Sequence, residues 1–515
     1  MVQRRSAMLA RRAVGRTRQF VVLAIAVSAV GGLVALERRS VDPSSLNAAT
    51  RATSPEFRRD AKASTWFCPG VIGNDEQVSG LLVISNFGEV PVGGTITRFV
   101  VDGVARQQRF AVPARSTLEV DALAGVKSGF VSALVESRGT AVVVEQLTVH
   151  RAGNAVSPCA SRPSGTWFLA DGFTGADSIE QIVVTNPSLD SAILDVSFVT
   201  AIGERNPQSL KGVVIPPESV RVFDVAGFDA RNEAIAAVAV RATVGRVVVG
   251  RSQHYLGRGR LGYTMSLAAS ATSSRWFFAD GEKSASVNEE FVIYNPSATD
   301  QQLTFILADD QGVAIDPVTV TAPGRRVTKF APSGLSALPD GRYSAIISAT
   351  SSVDQSAGAG AGADAGAGAD TGSRAGANAG ESVVIERVAT RQENKSTASA
   401  VMLGAPSASR AWVAAAGMAI GVTDALRIFN PGSLPATFRV SYLGPAGDVS
   451  ITGYEEVLLA PGASASVLLG PETASTAVSV TSSEPIVVQR RIDRGSKQPI
   501  NGAAPLIVMT TSAQS

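Results

Sequence analysis

One pattern occurs four times along this chain: a tryptophan, a glycine four or five residues later, and an apolar stretch that ends in asparagine. Each asparagine follows its tryptophan by 18 to 20 residues, and the chain has no other tryptophan. Repetition at a near-constant period constrains the architecture first, because each copy must form one supersecondary unit. The copies are marked by Trp66, Trp167, Trp276 and Trp412, and by Asn86, Asn186, Asn295 and Asn430.

The spacing inside each copy is regular. Each marker asparagine precedes a further glycine by 17 residues, and three of the four asparagines are followed by proline. Asn and Pro favour turns, so the pattern indicates strand, turn, strand, turn. A proline at a strand boundary and then a valine-rich strand complete each copy. These glycines are Gly103, Gly203, Gly312 and Gly447.

The period of the repeat predicts the fold class. The tryptophans are 101, 109 and 136 residues apart, and a low-complexity insert of 26 residues at 355–380 accounts for the longest interval. About seven or eight short strands in a unit of this length are typical of an immunoglobulin-like β-sandwich. We therefore expect an all-β tandem array of four such repeats after one N-terminal transmembrane helix. A propeller-like ring of the four repeats is the alternative.

The same landmarks divide the chain into segments. We expect the low-complexity insert to be a disordered loop, since alternating Gly, Ala and Asp cannot bury a core. The predicted segments are a basic tail at 1–18, an anchor at 19–36, a linker at 37–62, and repeats at 63–163, 164–272, 273–408 and 409–515.

Charge is concentrated at the N-terminus. The first 39 residues hold eight arginines and one acidic residue, whereas the rest of the chain has a net charge of about −5. Nucleic-acid binding requires a basic face, so the repeats are not expected to bind nucleic acid.

The N-terminal segment predicts an anchor. Residues 20–36 are apolar and uncharged, and six arginines precede them. The positive-inside rule places the N-terminus in the cytoplasm and the repeats outside, so the predicted partner of 20–36 is the cytoplasmic membrane. A cleaved signal peptide is the competing interpretation. The anchor is favoured, because Glu37 and two arginines follow the apolar run where a small-residue cleavage site belongs.

Only two cysteines are present, Cys68 beside the first tryptophan and Cys159 near the end of the same repeat. An even number in an exported chain predicts a disulfide, with two buried thiols as the alternative. Such a bond joins the two ends of repeat one, and this favours self-contained sandwiches in a row.

Residues with catalytic potential are few. His150 and His254 are the only histidines, and no cluster has metal-ligand spacing. Asp171 and Asp280 lie in matching Ala-Asp-Gly segments, but the other two repeats have Pro69 and Ala416 there. Two turn aspartates are a better interpretation than a catalytic pair. No catalytic, cofactor-binding or metal-binding residue is therefore predicted.

A polar step recurs at the end of each valine-rich strand. It is interpreted as an edge ion pair or a strand-end charge that prevents edge-to-edge pairing, with a repeated binding surface as the alternative. Its members are Glu145-Gln146, Gly250-Arg251, Glu386-Arg387 and Gln489-Arg490.

The Trp, Ala-Asp-Gly and Asn-Pro positions resemble a repeat of exported bacterial surface proteins. With the arginine-rich anchor and the lysine-poor composition, residues 63–512 resemble an uncharacterised actinobacterial family of membrane-anchored exported proteins. The resemblance implies location and build but no activity. The predicted function is a non-enzymatic structural or interaction protein of the cell envelope, with envelope proteins or glycans as partners. A binding protein for cell-wall or capsular glycan is the alternative, and a hydrolase with loop-borne catalytic groups is a third.

Overall fold

The computed structural model describes residues 55–510 except 59–62, 74, 76–77, 102–105, 127, 140, 352–381, 394–395, 416–422, 494–501 and 506. All described residues belong to one compact unit, 51–515. The predicted anchor and the insert at 355–380 lie outside the described residues. Within the described part, no helix has the length and apolarity needed to cross a bilayer.

The described residues are all-β, with short 3₁₀ turns as their only helical segments. The strands β2 to β9 form two sheets, in the orders β2-β7-β4-β5 and β6-β3-β8-β9, which we name sheet pair 1. The first strands are β1 (Glu56–Arg58), β2 (Ala63–Ile72), β3 (Val78–Asn86), β4 (Val92–Val100), β5 (Arg106–Val112), β6 (Ser116–Asp121), β7 (Phe130–Arg138), β8 (Val142–His150) and β9 (Gly153–Pro158).

Sheet pair 2 has the sheets β10-β16-β12-β13, with β14 also on β12, and β15-β11-β17-β18. Its strands are β10 (Thr166–Leu169), β11 (Ile179–Asn186), β12 (Ala192–Thr200), β13 (Glu204–Arg205), β14 (Val213–Ile215), β15 (Ser219–Asp224), β16 (Ala236–Val244), β17 (Val248–Gly257) and β18 (Arg260–Leu267). The 3₁₀ turns of this pair are η1 (Gly175–Asp177), η2 (Gln208–Leu210) and η3 (Val225–Gly227).

Sheet pair 3 repeats the strand order of pair 1, with sheets β19-β24-β21-β22 and β23-β20-β25-β26. Its strands are β19 (Arg275–Lys283), β20 (Val287–Asn295), β21 (Gln301–Asp309), β22 (Val318–Ala322), β23 (Arg326–Phe330), β24 (Gly341–Ser351), β25 (Val384–Glu393) and β26 (Ser396–Leu403), with a 3₁₀ turn η4 (Pro332–Gly334).

Sheet pair 4 differs because one long strand, β33, takes part in both sheets: it pairs with β27 and β29 and then with β28 and β34. The terminal strand β1 pairs in parallel with β35, which pairs with β27. The strands are β27 (Ser409–Ala414), β28 (Thr423–Phe429), β29 (Ala436–Gly444), β30 (Gly447–Ser450), β31 (Val457–Leu459), β32 (Ser464–Leu469), β33 (Val478–Asp493), β34 (Gly502–Pro505) and β35 (Ile507–Thr510), with a 3₁₀ turn η5 (Pro471–Thr473).

Burial along the strands shows where the core lies. In β3, β11 and β20, burial alternates at the start and then becomes continuous over the last five residues. Alternation marks a strand with one covered face, and continuous burial marks a strand covered on both faces. The second cover comes from the neighbouring sheet pair, because each core includes side chains from the preceding pair.

Contacts between the sheet pairs form a closed cycle. The core of pair 1 contains Val413 and Leu443 of pair 4. The Ser85 hydroxyl donates to the Ala415 carbonyl at 2.7 Å, and Arg115 lies 3.2 Å from Asp448. A linear row, the favoured arrangement in the sequence analysis, leaves its first and last units apart. These contacts fit the alternative, the ring, because each pair then has two neighbours.

Candidate functional site

The four tryptophans occupy matching environments. Each indole is at most 2 % exposed and donates its N–H to a carbonyl at the start of the valine-rich strand of the same sheet pair. A buried indole needs such a partner. The acceptors for Trp66, Trp167, Trp276 and Trp412 are Val142, Val247, Val383 and Ile486, at 2.8 to 3.0 Å.

The four asparagines are fully buried and bridge two loops. In each, the side-chain carbonyl accepts from the backbone N–H two residues later, at 2.9 to 3.1 Å. The side-chain amide donates to the carbonyl four residues later and to the loop that carries the boundary proline, as Asn86 does with Val90 and Pro113. Only an amide has both the donors and the acceptor that this bridge requires. Asn186, Asn295 and Asn430 make the corresponding bonds.

Cys68 and Cys159 form a disulfide. Both cysteines are buried, and the adjoining residues Phe67 and Ala160 exchange backbone hydrogen bonds at 2.8 Å. The bond therefore joins two segments that already pair within sheet pair 1. It does not exclude a ring, because contacts between whole sheet pairs close the cycle.

The polar step, which the sequence analysis placed at the end of each valine-rich strand, lies within that strand, because each strand continues for several residues beyond it. The step is not at a sheet edge, and it does not form an exposed surface. Its charged and amide side chains, from Glu145 to Arg490, are at most 4 % exposed. Both predictions for the step, a position at a sheet edge and a repeated binding surface, are therefore wrong. The step lies between neighbouring sheet pairs, because the strand that contains it is central in its sheet and is covered by the preceding pair.

At the junction of pairs 2 and 3 the step forms a buried ion pair. The guanidinium of Arg251 binds both carboxylate oxygens of Glu386, at 2.9 and 3.1 Å. Glu386 also accepts from the backbone N–H of Asp171 at 2.7 Å. Burial raises the pKa of the Glu386 carboxyl, and the Arg251 guanidinium opposes that effect. Bidentate geometry of this kind gives strong charge-assisted hydrogen bonds.

Asp171 and Asp280 are buried ion-pair partners, whereas the sequence predicted turn residues. Asp171 lies 3.1 Å from Arg260, and Asp280 lies 2.7 Å from Arg342. Burial alone would raise the pKa of each carboxyl, but the adjacent guanidiniums outweigh burial and hold both pKa values below the ordinary value. Both aspartates are therefore charged near neutral pH, and neither is poised as a proton donor.

The junction of pairs 3 and 4 uses an amide. The side-chain carbonyl of Gln489 accepts from the backbone N–H of Ala279 at 2.7 Å and from that of Asp280 at 3.3 Å. At the junction of pairs 4 and 1, Arg490 binds Asp424 in its own pair and lies 3.9 Å from Glu145. The polar step of each valine-rich strand thus contacts a neighbouring sheet pair, and the chemical group that makes the contact differs from junction to junction.

The junction of pairs 1 and 2 explains two departures in the repeat, Pro69 and Gly250. Pro69 has no N–H to donate, so this junction needs no acceptor side chain at the position of Gly250. A Cβ on Gly250 would lie 2.5 Å from the Cβ of Pro69, so proline fills the space that the glycine leaves. The two departures are therefore one packing contact.

The two histidines come together at the same junction. The rings of His150 and His254 are 4.9 Å apart, and Tyr263 packs 4.8 Å from His150. His150 Nδ1 accepts from the backbone N–H of Ala152 at 3.1 Å. Burial lowers the pKa of His254. The described residues contain no group of three or more His, Cys, Asp or Glu side chains placed to hold a metal ion.

Three of the cavities among the described residues bear on function. One of about 10 Å³ lies among Asp280, Glu289 and Arg387, which is about the smallest space that holds one water. An open cleft of about 450 Å³ lies between η1 and the loop that contains Arg231. An apolar cavity of about 70 Å³ lies between the ends of β9, β18 and β26. None was predicted from the sequence, because each is assembled from distant segments.

Comparisons with known proteins identify a family but no activity. The sequence model of a family of unknown function, DUF5719, matches residues 139–419 and 359–488. No curated protein matches. A crystal structure titled Thermotoga maritima 1070 is 11 % identical over 26 % of this chain and 92 % of its own, with a TM-score of 0.19. A tetra-tandem repeat from the extending region of a large adhesion protein is 10 % identical over 86 % and 99 %, with a TM-score of 0.10. TM-scores this low support no conclusion about the fold.

Proposed function

The chain belongs to DUF5719, a family of unknown function, and on that premise we propose that it is a non-enzymatic structural and interaction protein of the bacterial cell envelope. One observation carries the proposal. Buried arginines of the described residues form ion pairs: Arg251 binds Glu386 across a junction, and Arg387 binds Asp280 and Glu289 within sheet pair 3. Ion pairs arranged in this way hold strands and sheet pairs together, and the cavity beside Arg387, with a volume of about 10 Å³, has no room for a substrate.

The proposed location rests on sequence and on the disulfide. Residues 20–36 anchor the chain in the cytoplasmic membrane, with the arginine-rich tail inside and the sheet pairs outside. The Cys68–Cys159 bond agrees with an oxidising compartment. Actinobacterial membrane-anchored exported proteins with the same repeat are the family that the sequence resembles.

The proposed architecture is four copies of one immunoglobulin-like sandwich closed into a ring. The recurring bonds of the four tryptophans and four asparagines support common descent of the copies. The contact between Arg115 of pair 1 and Asp448 of pair 4 supports closure. It joins the same kinds of turn as the contact between Ile202 of pair 2 and Arg326 of pair 3, so pair 4 meets pair 1 as pair 2 meets pair 3. Such a body offers several loops on a rigid frame, which suits a spacer or a docking platform.

Fractionation of the native host tests the proposal. We expect the full-length chain in the membrane fraction after an alkaline wash, with an intact N-terminus and with its sheet pairs degraded by external protease only after the wall is removed. A panel of ester and glycoside probes should show no turnover by the purified chain. A mature N-terminus near residue 40, or saturable turnover of a probe, would contradict the proposal.

Binding of a wall or capsular glycan is the second candidate, and the cleft of about 450 Å³ in sheet pair 2 favours it. The cleft is lined by polar groups suited to sugar hydroxyls, among them Asp177, Asp224, Arg231 and Asn232. Arg231→Ala should abolish saturable binding of isolated wall polysaccharide, while the exposed Arg246→Ala serves as the matched control. Equal binding by both variants would remove the cleft from consideration.

A further inference from the structure

The apolar cavity of about 70 Å³ lies where three sheet pairs meet. Its walls come from the last residues of three equivalent strands, β9, β18 and β26, and include the buried side chains of Val156, Met265 and Met402. The rings of Trp167 and Trp276 also line it. Methionines adapt their shape to an apolar guest, so this lining suits a flexible hydrocarbon.

The lining also includes a charged group on its solvent-exposed side. Arg162 is exposed, and it is the one charged side chain among the described lining residues. Serine hydroxyls, including those of Ser161 and Ser270, belong to the same lining. An apolar interior with a cationic rim matches an amphiphile that has a hydrocarbon tail and an anionic head.

The course of the chain indicates where such an amphiphile comes from. Pro55, the first described residue, lines the cavity. Eighteen residues, 37–54, connect it to the apolar segment 20–36. A chain of that length reaches roughly 60 Å at most, so an anchored protein keeps the cavity within that distance of the bilayer.

We propose that this cavity binds the end of an acyl chain of an anionic phospholipid from the cytoplasmic membrane. The proposal rests on the membrane anchoring of the proposed function. The enclosed space is about half of the roughly 150 Å³ cavity known to bind benzene, so it takes the tip of a chain while the rest lies in the open mouth. Arg162 contacts the head-group region.

Photolabelling tests the proposal. The full chain is reconstituted in vesicles of phosphatidylglycerol that contain a phospholipid with a diazirine near the end of one acyl chain. After irradiation, we expect labelled peptides that cover 156–162, 265–270 and 401–406. Label confined to the segment 20–36, or label on other surfaces of the sheet pairs, would overturn the proposal.

Two variants sharpen the test. Leu267→Trp adds bulk at the partly buried lining position, and Leu256→Trp, at an exposed position on the adjacent strand, is the matched control. With equal melting temperatures, only Leu267→Trp should lose the label. Arg162→Gln should reduce the preference for phosphatidylglycerol over phosphatidylcholine about threefold, the scale of an exposed charge pair. Equal labelling of both tryptophan variants would refute the site.

The same experiment in detergent micelles separates the two proposals. There the labelling does not depend on anchoring, so label at the cavity together with loss of the chain from the washed membrane fraction would reject the anchor alone. Membrane retention without label at the cavity would reject the lipid site alone. Cross-linking of the cavity to a copurified polypeptide, in place of the lipid, would also reject it.

Discussion

Gly250 and Pro69 meet at the junction of sheet pairs 1 and 2, where the backbone of one strand lies against the ring of the other residue. Equivalent positions at two other junctions are Glu386 and Gln489, whose side chains accept from backbone N–H groups of the preceding pair. Pro69 has no backbone N–H to donate, and Gly250 has no side chain to accept, so no hydrogen-bonding group is left without a partner at this contact. Each substitution alone would leave a clash or an unpaired group.

This balance gives the first prediction. Gly250→Ala should lower the free energy of unfolding by about 1 to 3 kcal/mol, because the new methyl group overlaps the ring of Pro69. Pro69→Gly in the same chain removes the Cβ that the new methyl group meets and should recover part of the loss. Gly165→Ala is the control, since a Cβ there meets no atom within 4 Å. Urea unfolding compares the wild type, the two single variants, the double variant and the control, and additive losses in the double variant would contradict the contact.

His254 gives the second prediction, which concerns pH. Burial lowers the pKa of His254, so the unfolded chain takes up a proton at higher pH than the folded chain does. The stability that the neutral imidazole contributes is complete above about pH 6.5 and is lost as the pH falls below that value. The groups that face the ring are His150 and Tyr263, with Asp75 favouring its charge and Arg151 opposing it.

The measurement is urea unfolding of the wild type and His254→Gln at pH 7.5, 6.5 and 5.5. The wild type should lose more stability than the variant between the first and last pH. The buried carboxyls titrate equally in both proteins, so their effect on the free energy of unfolding cancels in the comparison. Parallel pH profiles for the two proteins would show that the ring does not titrate in this range.

At the scale of strands, the valine-rich strands β8, β17, β25 and β33 join the sheet pairs. Each is central in its sheet, and its polar step enters the junction. The buried pair of Arg251 and Glu386 shows what holds such a junction. Two charges removed from water are stable there because they pair in bidentate geometry and because the Asp171 backbone and the Ser266 hydroxyl make further hydrogen bonds to them.

Glu386→Gln therefore gives the third prediction. Loss of the carboxylate leaves the Arg251 guanidinium buried without its counter-ion, which should cost about 3 to 5 kcal/mol of unfolding free energy. Glu484→Gln removes a carboxylate from a partly exposed pair with Arg410 and should cost about 0 to 1 kcal/mol. Equal losses in the two variants would show that burial of the first pair has no energetic consequence.

The strands also show what the sequence could predict. The all-β class and the positions of the tryptophan and asparagine strands follow from periodicity and turn residues, since both signals are local. The burial of Glu386 and Arg251 could not be predicted in this way, because a charged residue after an apolar run has the same sequence pattern at an exposed edge and inside a junction. The cavity beside Met265 and Met402 was equally hidden, since strands from three sheet pairs form it.

At the scale of the whole molecule, a recurring contact joins each sheet pair to the next, as the proposed ring requires. The segment after the third strand of one pair meets the start of β15, β23 or β32 in the next, as in the bridge between Val101 and Val220, the bond from Arg326 to the Ile202 carbonyl and the bond from the Ser464 N–H to the Asp310 carbonyl. Asp448 and Arg115 continue the series from pair 4 to pair 1. A head-to-tail interface that returns to its start supports the proposed ring.

Closure gives the fourth prediction. Arg115→Cys with Asp448→Cys should cross-link intramolecularly with a short bismaleimide in the folded full chain, because the two side chains lie in contact. The native cysteines of the described residues are joined to each other and do not compete. Asp448→Cys with Glu218→Cys, which moves the second cysteine to the corresponding turn of pair 2, is the control. Peptide mass spectrometry reads the product, and a cross-link in the control alone would exclude closure.

The unlike junctions also bear on how two copies of this chain exchange parts. Domain swapping replaces a contact within one molecule by the same contact between two molecules. In this protein, each sheet pair can be replaced only by the same sheet pair of the other molecule. A sheet pair from another molecule that arrived beside Pro69 would have to present Gly250, since the glutamate or glutamine of another pair would collide with the ring. Swapped dimers of this protein should therefore preserve the cyclic order of the monomer, and scrambled concatemers should not form.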